Sequence, residues 1–410
     1  MATENKKYIP ALRFPEFQND GEWNYEYGNM LYDSIVNKKH KSDLPILAIT
    51  QDNGAIPRDE INYRVIVNDK SIEGYKIVEI GDFIISLRSF QGGIEYSRYK
   101  GLCSPAYIVL RKKHSKICDD FYRHYFKSFQ YIQALNRNLE GIRDGKMVSY
   151  KQFSDIKLPC PSLAEQKKIA DCLSSLDKYI DATKRKLELL KEHKKGLMQR
   201  LFPAKGKTTP ELRFPEFQND GEWQTMSLGE ITSVVNRRNK SNRSLPIYSI
   251  NNADGFVPQS QQFAGIDSEA RGYDISAYKI IGKHTFAYNP ARINVGSIGY
   301  SGELKDILIS SLYVCFKTMD NVDDDFLMCF FNSYIFNQAV ESNVEGGIRS
   351  YLFYENFSRI NIAIPSLSEQ KRIASCITSI EDVIKQTNKQ ICLLETHKNG
   401  LLQQLFPKIK

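Results

Sequence analysis

Three short stretches of the chain hold residue types from which catalytic sites are built. GIRDGKM (141–147) approaches a phosphate-binding loop, where glycine amides and a lysine hold phosphates and Ser or Thr holds magnesium. Its glycine spacing is one residue short, and Met147 stands in the magnesium-binding place. YNPARI (288–293) has the Asn-Pro of an amino-methyltransferase motif, without the second proline and aromatic that would hold a flipped base. Asp155-Ile156-Lys157 is an acid-x-Lys triplet with no Pro-Asp upstream. A G-x-S-x-G elbow and an H-E-x-x-H pair are both absent from the sequence. The eight cysteines form no C-x-x-C pair and no zinc-type spacing with the six histidines, so they read as reduced, packed thiols. His193 and His397 occupy matching places on a polar helix face and read as solvated. No cofactor or metal site is expected in this chain.

Cations are more telling. The net charge is +8 over 410 residues, and Lys and Arg gather in NKKHK (37–41), RKKHSK (111–116) and NRRNKSNR (236–243). Such runs suit solvated loops or a polyanion, and duplex DNA, with its dense line of phosphates, is the commonest functional partner. A hydrophobic fraction of 41% with 25% charged residues fits a globular protein. No run of 18 apolar residues exists, and the first residues, MATENKKYIP, lack the apolar stretch of a secretory signal, so a cytoplasmic, non-membrane protein is expected.

The elements that must position these residues come in duplicate. PALRFPEFQNDGEW (10–23) returns as PELRFPEFQNDGEW (210–223), and LPILAITQDNGAIP (44–57) as LPIYSINNADGFVP (245–258). CSPAYIVL (103–110) answers loosely to ISSLYVCF (309–316), and Gly141-Ile142-Arg143 to Gly347-Ile348-Arg349. The segment from Pro161 to Pro203 matches that from Pro365 to Pro407 at a constant offset. Each half is therefore a short lead-in segment, a divergent body and a long terminal segment. Ends that agree closely around bodies that do not suggest two related jobs held in one frame.

In the terminal segments, positions 169, 173, 176, 180, 183, 187, 190, 194, 197 and 201 carry Leu or Ile, except for Thr183 and Lys194. Steps of four and three are the rhythm of a coiled-coil seam. Positions 373 to 405 repeat the pattern, with Thr387 and Lys398 at the same two exceptions. Ser162 and Glu165, like Ser366 and Glu369, fit a capping box, and Pro203 and Pro407 mark the stops. Roughly 38 residues at about 1.5 Å each give a rod on the order of 57 Å. The two helices are expected to pair antiparallel within the chain, with the in-seam Thr and Lys helping to set register. Packing of each helix on its own body, or a homodimeric coiled coil, are the other arrangements open to such stripes.

The bodies read as mixed α/β. Strands are expected in GDFIISL (81–87), AYIVLRK (106–112) and SLYVCFK (311–317). Helices with core-facing aromatics are expected over 119–139 and 323–342. The expected domains are 1–160 (lead-in and first body), 161–203 (first long helix), 204–364 (linker, second lead-in and body) and 365–410 (second long helix).

Taken together, the double body-then-helix plan, the phrase P-S-L-x-E-Q-[KR]-x-I-A and the lead-in LRFPEF…GEW resemble the specificity subunits of Type I restriction–modification enzymes over almost the whole chain. The resemblance implies two target recognition domains, each reading half of a split double-stranded DNA sequence. It implies paired helices that act as a ruler with pseudo-two-fold symmetry and dock other subunits. Two modification subunits would use S-adenosylmethionine to methylate adenine, and restriction/translocase subunits would use ATP and magnesium. The chain itself would do no chemistry. Readers on one face of B-DNA sit about 34–36 Å apart, within the reach of such a rod. The repeated lead-in then belongs to the frame, with Phe14, Phe17, Trp23, Phe214, Phe217 and Trp223 packing on helices or a partner.

Base edges are read by Arg, Lys, Asn and Gln, and phosphates are held by basic and hydroxyl groups. The candidate DNA-contacting residues are Arg88, Ser89, Gln91, Arg98, Arg143 and Lys146 in the first body. In the second they are Arg237, Arg238, Lys240, Arg243, Arg292, Asn294 and Arg349. Arg143 and Arg349, after glycine in the shared G-I-R element, suit phosphate clamps. An interaction scaffold that presents the bodies to proteins, and a hydrolase with a cryptic site, are the alternative readings.

Overall fold

The computed structural model describes residues 8–41, 43–61, 72–87, 89–137, 148–252, 255–262, 267–343 and 351–407, apart from the side chain of Phe90. The chain divides into two units. The first comprises Met1–Arg185 with Lys389–Lys410, and the second Lys186–Asn388. Each unit thus contains one body, the start of its own long helix and the end of the other.

In the first unit, β1 (Asn24–Tyr27) pairs antiparallel with β10 (Lys157–Cys160), tying the lead-in to the strand that feeds the long helix. Four strands form the body's main sheet, in the order β2 (Tyr32–Ile35), β9 (Ile108–Lys112), β6 (Phe83–Ile85), β7 (Glu95–Tyr96). All their pairings are antiparallel. Every residue of Phe83-Ile84-Ile85 is buried, as suits a short apolar run fenced by polar residues. Beside the sheet lie two hairpin-like pairs, β3 (Leu47–Thr50) with β4 (Gly54–Pro57) and β5 (Lys76–Val78) with β8 (Gly101–Cys103).

The second unit repeats this plan. β11 (Gln224–Ser227) pairs with β20 (Asn361–Ile364). Its main sheet runs β12 (Thr232–Val234), β19 (Val314–Thr318), β16 (Phe286–Tyr288), β17 (Ile298–Tyr300). A second sheet joins β14 (Gly255–Pro258), β13 (Ile247–Asn251), β18 (Ile307–Ile309) and β15 (Lys279–Ile281) in that order. The fold is mixed α/β, as the segment patterns imply.

Each single helix expected over 119–139 and 323–342 is two. The pairs are Asp119–Tyr125 with Phe129–Arg137, and Asp324–Phe331 with Tyr334–Asn343. A serine breaks both: Ser128 Oγ accepts the Tyr131 amide at 3.3 Å, and Ser333 Oγ that of Phe336 at 3.2 Å. A hydroxyl that satisfies a free amide starts a new helix more readily than it continues an old one. Most aromatics of these helices are core: Phe121, Tyr122, Tyr125, Phe126 and Tyr131 are buried in the first unit, Phe326, Phe330, Phe331 and Phe336 in the second, whereas Phe129 and Tyr334, each opening a second helix, are exposed.

The long helices run Leu163–Leu201 and Leu367–Leu405. No seam position of either is exposed. Within the first unit, Lys398 bonds Asp177 at 2.5 Å and Lys184 bonds Glu395 at 2.6 Å, so residue numbers rise on one helix as they fall on the other. Within the second unit, Lys194 bonds Glu381 at 2.5 Å, and Met198 and Leu201 share a core with Ile377 and Ile373. Antiparallel pairing is therefore present in each unit by itself. The in-seam lysines, Lys194 and Lys398, make two of these three cross-helix pairs. The threonines do not: Thr183 Oγ1 donates to Tyr179 O and Thr387 Oγ1 to Val383 O, each at 2.7 Å within its own helix. Each hydroxyl proton is thus satisfied one turn back in its own helix.

Candidate nucleic-acid interface

The lead-in phrase builds the frame on which the interface rests. Arg13 makes a two-pronged bond to Glu165, Nε to Oε1 at 2.7 Å and Nη2 to Oε2 at 2.8 Å, and its Nη1 donates to Gly21 O at 2.6 Å. Arg213 does the same to Glu369, at 2.8 and 2.8 Å, and to Gly221 O at 2.5 Å. Both glutamates are 1% exposed. The bond to Glu165 is the main cause that holds the Arg13 guanidinium above its ordinary pKa, and the Arg213 guanidinium is held in the same way by Glu369. The expected capping boxes are thus half made. Ser162 and Ser366 accept the glutamate amides at 3.3 and 3.4 Å, while the carboxylates turn to arginine.

The next residue locks the body. Gln166 accepts the Cys118 amide and donates to Pro161 O and Lys116 O; Gln370 accepts the Asp323 amide and donates to Pro365 O and Asn321 O. The phrase also caps the other helix, since Leu12 N–H donates to Gln404 O and Leu212 N–H to Arg200 O. These carbonyls lie in last turns that have no further helical donors. Trp23 and Trp223 are buried, at 3% and 2% exposure, and the partly buried Phe14 and Phe214 pack on the same cores. The repeated phrase is a clip that joins lead-in, body and both helices.

On this frame the second unit holds a rigid cationic loop between β12 and β13. Asn239 is fully buried; its side chain donates to Arg243 O at 2.9 Å and accepts the Arg243 amide at 2.9 Å, closing the loop on itself. Asn242 takes a left-handed φ of 46° at the tip, a conformation that asparagine tolerates. Arg237 O accepts the Ile280 amide at 2.7 Å, which pins the loop to β15. Arg237, Arg238, Lys240 and Arg243 are left exposed. Arg243 faces Asp306 at 3.9 Å; the other three pair with no carboxylate among the described residues.

A neighbouring loop is braced to this one. Lys279, bridged by backbone to Arg238, donates from Nζ to Tyr313 O at 2.6 Å. β19 pairs with β12 (Val234 opposite Phe316) and with β16 (Tyr288 opposite Val314), so the β12–β13, β18–β19 and β16–β17 connections leave the same end of the main sheet. Arg292 and Asn294 are exposed on the β16–β17 connection, which turns through Gly296 at a φ of 85°. The structure therefore gathers six sequence-predicted residues onto adjoining loops of one unit.

The first unit carries the same brace. Lys76 Nζ donates to Tyr107 O at 2.6 Å, and Asn37 O accepts the Ile77 amide at 2.7 Å. The Lys76 ammonium is lowered first by burial, then by Lys38. The loop so held is NKKHK, with Lys38, Lys39 and Lys41 exposed. The candidate set omits these three lysines, although their loop joins β2 to β3 as 236–243 joins β12 to β13. That matching place is the signal that finds them.

Other candidates fall apart from these loops. Ser89 is 1% exposed, and its Oγ accepts the Ser86 amide at 2.9 Å, so it staples a turn rather than facing outward. Gln91 is exposed on that turn, which joins β6 to β7 as the Arg292 turn joins β16 to β17. Gly93, with a φ of 83°, has no room there for a Cβ, which would lie 2.0 Å from Phe126 O. Arg98 is exposed on the β7–β8 connection. Arg88, Arg143, Lys146 and Arg349 lie outside the described residues. Three of the four cations of RKKHSK are paired in place, Arg111 with Asp82, Lys112 with Asp119 and Lys113 with Asp33, at 2.7, 2.5 and 2.9 Å.

Residues 16–192 and 220–395 each match the Type I restriction modification DNA specificity domain, and the chain belongs to that family, with one copy in each half. The type I restriction enzyme MjaVIII specificity subunit of Methanocaldococcus jannaschii is 25% identical over 354 residues, covering 80% of this chain and 79% of the relative. Two solved structures share the fold at 15% identity. The S subunit of a Type I restriction–modification system from M. genitalium matches with a TM-score of 0.56 over 98% of this chain and 100% of that one. The HsdS subunit from Thermoanaerobacter tengcongensis matches with a TM-score of 0.50 over 99% of each. No helix among the described residues is long and apolar enough to cross a membrane.

Proposed function

We propose that this chain is the DNA-reading subunit of a Type I restriction–modification complex, in which each unit reads one half of a split target. The observation that supports this most is the lysine-braced cationic loop, made once in each unit by the same bonds, whose cations other than Arg243 pair with no carboxylate among the described residues. A loop fixed by its own backbone presents cations to phosphates with little ordering left to do on binding. Specificity then comes from Arg, Asn and Gln on the adjoining turns, such as Arg292, Asn294 and Gln91.

On this reading two modification subunits dock on the shared frame and methylate adenine with S-adenosylmethionine. Restriction/translocase subunits bring ATP and magnesium. An open groove of about 860 Å³ in the second unit suits such docking, with Met198, Ile335 and Ile384 on its floor and Lys191, Lys195 and Lys205 at its rim. The helices set the gap between half-sites by their length, each residue adding about 1.5 Å.

Titrating duplex binding of the assembled complex against salt tests the DNA reading. A log–log slope equivalent to several neutralised phosphates, at about 0.9 per phosphate, is expected. Binding to protein partners with no salt-dependent DNA affinity would favour the scaffold alternative.

A further inference from the structure

The second unit carries an aromatic pair that neither core nor capping explains. Tyr351 and Phe353 stack with ring centroids 5.6 Å apart and planes 5° from parallel. Between them Leu352 is fully buried in the core, so the extended segment turns both rings away from it. Phe353 is 54% exposed. It occupies the N-cap of the helix Tyr354–Ser358 and makes no side-chain cap bond. The matching N-cap in the first unit is Ser149, which forms a complete capping box with Gln152. Phenylalanine there gives up the cap that serine supplies and gains no burial in exchange.

The pair also sits at the reading surface. The Leu352 amide donates to Pro290 O at 3.0 Å, which fastens this segment to the loop bearing Arg292 and Asn294. Val295 on the same loop is 51% exposed. A preformed aromatic stack whose outer ring, Phe353, is exposed beside cations is the arrangement that takes a nucleobase by its face. Apolar side chains placed among DNA-facing cations also wedge into base steps and unstack them.

We propose that Tyr351 and Phe353 form a stacking platform for a nucleobase unstacked at a step of the half-site read by the second unit. This rests on the DNA-reading function proposed above. It makes the two units chemically unlike: the first reads without an aromatic at this place, and the second opens a base step.

The test uses the complex of this chain with its modification subunit on a duplex carrying its methylation motif. 2-Aminopurine is placed at successive positions of the second unit's half-site. Wild type is expected to change its fluorescence at one or two adjacent positions. Phe353→Ser, which restores the capping residue of the first unit, should keep the melting temperature and the salt slope. It should abolish that local change and weaken binding roughly 10-fold, the scale of one lost base–aromatic stack. Tyr351→Ser should act in the same direction, and Phe353→Trp should restore both readouts. Unchanged affinity and fluorescence in Phe353→Ser would overturn the platform. Loss of modification-subunit assembly instead would make the pair a protein-docking surface and overturn it equally. If wild type itself showed no salt-dependent DNA binding, the function proposed above would fall, and the platform with it.

Discussion

The two units share a frame and differ in what they present. Arg13 holds Glu165 as Arg213 holds Glu369, and Leu12 caps one helix end as Leu212 caps the other. The presenting surfaces diverge around the same brace. The first unit shows lysines at 38, 39 and 41 where the second shows arginines at 237 and 238 with Lys240. A serine cap at 149 answers to Phe353, and a buried Glu95 next to Tyr96 answers to Gly299 next to Tyr300. Identical geometry below and different chemistry above is what two readers need when they must sit alike and recognise different sequences.

The largest effect should come from breaking the frame, and it should be equal in both units. Arg13→Ala leaves Glu165 as a buried, unpaired carboxylate, which costs about 3–5 kcal/mol. Arg213→Ala should cost the same, read by chemical denaturation of the full chain. A markedly smaller loss in one would mean that the two clips are not equivalent.

Next in size are the loops. Replacing Arg237, Arg238 and Lys240 together by alanine should lower the log–log salt slope of DNA binding by about 2–3 and weaken binding roughly 100-fold near physiological salt. The triple replacement of Lys38, Lys39 and Lys41 should do likewise. An unchanged slope would remove that loop from the interface.

The brace should matter less, by roughly 10-fold. Lys279→Met and Lys76→Met free the Tyr313 and Tyr107 carbonyls and let paired loops drift apart. Each should reduce discrimination only in the half-site read by its own unit, measured with duplexes mismatched in one half at a time.

The smallest difference is a pH dependence confined to the first unit. Burial raises Glu95 to about 7, against the opposing Lys127 ammonium that bonds it at 2.5 Å. A folded-state pKa above the ordinary carboxylate value favours the protonated fold. Its contribution is therefore complete below about pH 4.5 and is lost as pH rises towards 7. Glu95→Gln should flatten that dependence between pH 5 and 8, followed by thermal melts across the range.

Much of this was legible in the sequence because it is periodic or repeated. The seam of each long helix, the duplicated lead-in and the strands at 83–85, 108–112 and 314–318 follow from local pattern. Arg237, Arg238, Lys240 and Arg243 were legible as a basic run. RKKHSK looked the same, yet Asp33, Asp82 and Asp119 pair with three of its four cations, and those contacts are set by topology. The clip from Arg13 to Glu165 spans 152 residues and leaves no local trace. Ser89 reads as a polar contact until the turn that buries it is seen. Phe353 carries no signal until its neighbour Leu352 is fixed in the core.

The central claim is that each unit reads its own half of the target on a common frame. Single-molecule sequencing of DNA from cells expressing the chain with its modification subunit tests it most directly. Wild type should be compared with a chimera in which residues 28–156 come from another family member. The account predicts a split motif with one methylated adenine in each half, of which the chimera changes one half and keeps the other half and the gap. A contiguous motif, or a chimera that alters both halves, would contradict it.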